Sequence, residues 1–244
     1  MEFTYGWYLC LLSLLKEKGY VTCSYDDWAE YERCAILRHD VDNSLEAAGR
    51  FAELENAAGV KSTYFVLVTS DFYNVFSDKN KELVRKIISH GHSVGLHFDE
   101  TAYPECRGKR DKIISLIKTE AGMLETVTEL PVTSVSMHRP SKEILEMDLA
   151  VPGMVNSYSN IFFHEFKYLS DSRRRWREPV MDIVSSGMHQ KLHILTHAFW
   201  YGESQRPIEE TVHNFVNRAN RERYLQMQDN ITDLEKIMLP QEVM

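Results

Sequence analysis

CAILRHDVDNS, residues 34–44, is the stretch on which the reading of this chain turns. An apolar run from Cys34 to Leu37 gives way to Arg38, His39, Asp40 and Asp42. Short apolar runs ended by polar residues mark strands buried in a sheet. Asp and Asn at such an end can serve only to cap the next helix. They can also be placed there for chemistry, and the flanking segments decide between the two.

Six further segments read as buried strands: STYFVLVT (62–69), HSVGLHF (92–98), TSVSMH (133–138), MVNSYS (154–159), FKYLSD (166–171) and LHILTHAFW (192–200). Helical patterns separate most of them. Residues 44–59 open on Ser44 and close on Gly59, a good N-cap and C-cap. Residues 78–91, 109–127 and 206–228 follow, the last with Pro207 near its first turn. Tyr8, Leu11, Leu12 and Leu15 recur at helical spacing, so residues 2–18 are expected to form an amphipathic helix packed on the body, as is helix 206–228. The tail after 228 reads as a short helix. Alternating strands and helices imply parallel strands with helical crossovers, hence a barrel or a doubly wound sheet. About seven strands in 244 residues favour an α/β barrel in a single domain, residues 1–244.

Composition narrows the function classes. Hydrophobic residues make up 43% and charged residues 26%, as in a globular protein. A net charge of -8 argues against a nucleic-acid partner, which needs a basic surface. The densest basic stretch, RRRWR at 173–177, is short and isolated, and reads equally as a solvated loop or as a functional feature. No run approaches a transmembrane segment, and the N-terminus lacks a basic region and a cleavage site. Cys10, Cys23, Cys34 and Cys106 show no paired spacing. A cytoplasmic location is the expectation.

Polar residues recur where the strands stop. The ends are His39-Asp40-Val41-Asp42, His97-Phe98-Asp99-Glu100, His138-Arg139-Pro140, Asp171, and His197 followed by Phe199 and Trp200. Parallel α/β folds gather these strand ends on one face, where active sites sit. Residues two apart share a strand face, so Asp40 can project with Asp42, and His97 with Asp99. Each residue alone has a structural explanation; five segments together point to a site. Carboxylates and imidazoles in one cleft suit a divalent transition metal: Zn, Fe, Mn, Co or Ni. A free carboxylate beside the metal could take a proton from water and a histidine opposite could protonate a leaving group, which amounts to metal-assisted hydrolysis.

LRHDVD, STYFVLVT, HGHSVGLHFDE, SMHRPS and LTHAFWY, in that order, resemble the polysaccharide deacetylase superfamily, that is, the NodB homology domain or carbohydrate esterase family 4. The similarity spans about residues 35–201 and is nearest to the branch associated with O-antigen and capsule gene clusters. It implies a distorted (β/α) barrel of about seven parallel strands and one divalent metal ion. The implied reaction is removal of an N-acetyl group from an amino sugar in surface-polysaccharide biosynthesis. By that resemblance Asp40 is the base, Asp42 and His97 are metal ligands, Arg139 orients the base, and Asp171 pairs with that arginine. His197 is the general acid and steadies the oxyanion. Trp176, His138 and Trp200 line the substrate pocket. The second histidine of the family's His-x-x-x-His pattern is Thr101 here. Asp99, which shares a face with His97, is the expected third ligand, with His39, His138 and His197 as alternatives; His90, His92, His189 and His213 are read as structural. With no leader, the implied substrate is a nucleotide- or lipid-linked N-acetyl sugar. Two other readings fit the missing ligand: metal-free hydrolysis of a small amide, and an inactive sugar-binding barrel.

Overall fold

A computed structural model describes residues 2–243. Its strands are β1 (Val21–Cys23), β2 (Cys34–Val41), β3 (Thr63–Leu67), β4 (Ser93–Phe98), β5 (Ser134–Met137), β6 (Val155–Asn156), β7 (Lys167–Ser170) and β8 (Lys191–Thr196). Seven of them run in the order β6-β5-β4-β3-β2-β8-β7, and β1 pairs with the start of β2. Every pairing between strands is parallel. No β6–β7 pairing closes the ring among the described residues, so the sheet is a distorted, incompletely closed (β/α) barrel. The chain divides into two compact units, one ending at Tyr201 and the other starting at Gly202. All strands, and all the residues of the recognised motifs, belong to the first.

The first unit's helices are α1 (Tyr5–Glu17), α2 (Leu45–Ala58), α3 (Asp78–Ser89), α4 (Arg110–Thr128), α5 (Lys142–Glu146), α6 (Ile161–His164) and α7 (Val180–Ser186). Capping sets their starts. The Thr4 hydroxyl accepts from Trp7 N–H at the head of α1, and the Ser44 hydroxyl accepts from Ala47 N–H at the head of α2. Gly59 closes α2 in the left-handed conformation, at φ 71°. In α1 the spaced residues Tyr8, Leu11, Leu12 and Leu15 are all buried. In the second unit α8 (Ile208–Gln228) is followed by two short 3-10 turns, Leu234–Lys236 and Pro240–Val243, and the Tyr224 hydroxyl donates to the Met238 carbonyl.

β2 is buried along its whole length, as a strand covered on both faces must be. Ala35, Leu37 and Val41 join the core shared with α1 and α2, while Cys34 and Ile36 face a second cluster with Tyr25, Phe65, Phe162 and Phe166. The same alternation sends His39 to the helical side and Arg38 and Asp40 to the other. His39 Nε2 lies 2.8 Å from Glu55 of α2, which also accepts from Tyr8, Ser62 and Tyr64. A buried carboxylate with this many partners locks β2 against α1, α2 and β3. At the far end, the Tyr73 hydroxyl donates to Val41 O and accepts from Leu67 N–H, fixing the strand end from which Asp42 projects.

Candidate metal centre and hydrolytic site

Asp42 follows β2, His97 lies near the end of β4, and His138 follows β5. Their side chains meet. Asp42 Oδ1 is 3.2 Å from His97 Nε2 and 3.4 Å from His138 Nδ1, and the two nitrogens are 3.1 Å apart. Ligand atoms bound at usual lengths to one transition-metal ion lie about 3.0–3.5 Å from one another. Among the described residues, the buried Asp42 Oδ1 has no partner in hydrogen-bond geometry. An unsatisfied carboxylate oxygen facing two imidazole nitrogens fits a borderline divalent cation. Burial alone would raise the Asp42 carboxyl, but His138 and His97 outweigh it and hold the group well below the usual carboxylate range.

The third member of this group differs from the one expected. Asp99 Oδ1 accepts from the backbone N–H and the hydroxyl of Thr101, at 2.8 and 2.7 Å. Capping a short turn thus engages one oxygen of the carboxylate that strand alternation would have aimed beside His97. His138, expected to line the substrate pocket and also an alternative third ligand, lines the cleft and stands with Asp42 and His97. Its backbone N–H donates to Phe98 O at 2.7 Å, which ties the two histidine-bearing strand ends together.

Asp40 faces the same cleft and is held by a different arginine from the one expected. Arg38 Nε donates to Asp40 Oδ1 and Arg38 Nη2 to Oδ2, each at 2.8 Å. Arg38 is fully buried, donates also to Ser136, and lies over the rings of Tyr158 and Phe65. Burial opposes ionisation of Asp40, yet Arg38 keeps its carboxyl below the ordinary value. Arg139, the expected partner, is exposed in the loop after β5 with a left-handed backbone, φ 44°. Arg38 was missed although its spacing of two from Asp40 on a buried strand was the available signal.

Asp171 also has another partner. Its Oδ1 lies 2.6 Å from His197 Nδ1, and its Oδ2 accepts the His197 backbone N–H at 3.1 Å. Burial would lower the imidazolium pKa, but the Asp171 charge raises it to about 9. His197 Nε2 is left toward the cleft, 3.9 Å from Asp42 Oδ2. Trp200 lines the cleft, whereas Trp176 does not. Trp176 packs on Trp7, with ring centroids 5.7 Å apart, and borders an adjoining pocket with Tyr168 and Tyr158.

The cleft encloses about 660 Å³, the size of a site for a small organic ligand. No protein-family profile and no curated protein sequence matches the chain. Solved structures do. A carbohydrate esterase family 4 (CE4) esterase from Streptococcus mutans superposes with a TM-score of 0.50 at 15% identity, covering 75% of this chain and 82% of its own. A CE4 family pseudoenzyme from Bacillus anthracis gives 0.47 at 15% identity, covering 76% of this chain and 60% of its own. The catalytic domain of a peptidoglycan N-acetylglucosamine deacetylase from Eubacterium rectale gives 0.45 at 14% identity, covering 67% and 76%. This chain therefore spans less than two thirds of the pseudoenzyme's length. The fold is that of the Streptococcus mutans CE4 esterase, a distorted (β/α) barrel.

Proposed function

We propose that the chain is a metal-dependent hydrolase that removes the N-acetyl group from an amino-sugar derivative, in the surface-polysaccharide setting that the sequence resemblance implies. The observation that carries this reading is the meeting of three ligand-type atoms in the cleft where Asp40 and the Asp171-held His197 also stand. Asp42, His97 and His138 would hold the ion. When bound there, a divalent ion polarises an amide carbonyl and lowers the pKa of a water.

The remaining steps belong to the chain's own groups. The Arg38 fork fixes the plane of the Asp40 carboxylate, whose unused lone pairs can take a proton from the attacking water. His197, kept protonated at neutral pH by Asp171, can deliver the Nε2 proton to the amine nitrogen as the C–N bond breaks. The products are acetate and a free amino sugar. His138 supplies the ligand whose absence at Thr101 had left room for a metal-free or inactive barrel.

Acetate release from N-acetylglucosamine derivatives, with Zn, Co or Ni supplied, tests the proposal. Turnover should disappear on chelation and return with metal. Asp40→Asn should keep its metal while losing about 10²–10⁴-fold in rate, and His197→Gln should lose activity with its fold intact. A fully active Asp40→Asn protein would remove the base from the mechanism.

A further inference from the structure

Three arginines, Arg139, Arg173 and Arg177, line the cleft beside Asp40, Asp42 and His197. Both carboxylates have other neighbours: Asp40 is bonded by Arg38, and Asp42 faces the two histidines of the candidate metal group. All three arginines are exposed, and among the described residues none of them makes a hydrogen bond or ion pair. Arginines elsewhere on the surface face carboxylates, as Arg50 does Glu53 and Arg85 does Glu129. In a chain of net charge -8, three uncompensated guanidiniums around one cleft make a local basic lining opposite in sign to the whole.

Their placement is held by the fold. Arg139 and Arg173 adopt left-handed backbone conformations, φ 44° and 61°, each costing about 1–2 kcal/mol for a residue with a β-carbon. The loop of Arg139 is tied down by Ser141, whose N–H donates to Glu100 at 2.5 Å. The loop of Arg173 and Arg177 begins at Asp171, the carboxylate that holds His197. The backbone positions that carry the basic groups are thereby held beside the hydrolytic residues. RRRWR, which the sequence left between a solvated loop and a functional feature, supplies two of the three.

We infer that Arg139, Arg173 and Arg177 form an anion subsite beside the hydrolytic centre and that the substrate is an N-acetylated sugar bearing a phosphoryl group. The inference rests on the proposed deacetylation for the acetylated end of the ligand only. A phosphoryl group offers two negative charges and three acceptor oxygens, which several guanidinium forks can share. A carboxylate would be satisfied by one fork. The cleft volume, about 660 Å³, leaves room for a sugar and its phosphoryl substituent together.

The test is equilibrium binding, which does not depend on turnover. Titration calorimetry of the full-length protein in low salt would compare methyl N-acetylglucosaminide, N-acetylglucosamine 1-phosphate and UDP-N-acetylglucosamine. At least one phosphorylated ligand should bind about tenfold or more tighter than the neutral glycoside. The tighter of the two tells a sugar phosphate from a nucleotide sugar. Arg177→Gln and Arg173→Gln should each weaken that ligand by about tenfold, and added salt should weaken it further. Arg177 does not have a left-handed backbone, so its variant keeps the test open should Arg173→Gln misfold. Equal affinity for neutral and phosphorylated sugars overturns the subsite. So does unchanged affinity in a folded Arg177→Gln and Arg173→Gln pair, because the phosphoryl group would then be held elsewhere, for example at a metal. Acetate release without phosphoryl preference sinks the subsite alone; phosphoryl-dependent binding without acetate release sinks the deacetylation alone.

Discussion

Arg38 and Asp40 show how one buried pair can serve both stability and chemistry. The arginine is wholly out of solvent, and among the described residues the aspartate is its only charged partner in hydrogen-bond contact. Removing one member of such a pair strands the other in a low-dielectric interior. Arg38→Met should therefore destabilise the protein by about 3–5 kcal/mol and lower turnover, as read by denaturant melts and acetate release. Arg38→Met combined with Asp40→Asn should recover much of that stability while staying inactive; a double variant as unstable as the single one would contradict the pairing. The two-residue spacing that joins these side chains was legible in the sequence. The resemblance drew attention to Arg139 instead, because a motif transfers a residue's position without showing which way its loop turns.

Strand alternation organises the next scale. On β2 the face toward the helices presents His39 to Glu55, and the opposite face presents Arg38 and Asp40 to the site. Burial disfavours ionised Glu55, but His39 and the donors around it hold its pKa down to about 2. The unfolded chain protonates near 4.3, so this contribution is complete above that pH and is lost as pH falls from about 4.3 toward 2. Glu55→Gln should flatten the acid limb of the stability curve and cost on the order of 3 kcal/mol at neutral pH. An acid limb identical to wild type would show that Glu55 does not carry it. On β4, a β-carbon at Gly95 would lie 2.5 Å from both the Phe65 ring and Ser134 Oγ. Gly95→Ala should cost about 1–3 kcal/mol through overpacking, visible as a lowered Tm, and an unchanged Tm would mean the strands spread freely. Long helices with caps and buried apolar strands were legible because their periodicity runs over many residues. β1, α5, α6 and α7, of three to seven residues, are too short to carry a period.

Across the whole molecule, the parallel sheet explains why one face of the barrel carries the chemistry. β2, β4, β5 and β8 all run the same way, so Asp40, Asp42, His97, His138 and His197 arrive on one rim. That convergence could be read from the alternation of strands and helices, and so could the barrel. The sheet order, with β8 beside β2, and the partner each rim residue meets depend on closure of the sheet and on loop turns. This is why Asp99 turns to cap Thr101 while His138, one of the alternatives, faces Asp42 and His97. No described helix is long and apolar enough to cross a membrane. Asp42, His97 and His138 are proposed to hold one metal ion, and elemental analysis of the protein purified without chelator tests this. Wild type and Asp99→Ala should carry near-stoichiometric transition metal and His138→Ala little or none. Full occupancy in His138→Ala, or loss in Asp99→Ala, would contradict the assignment.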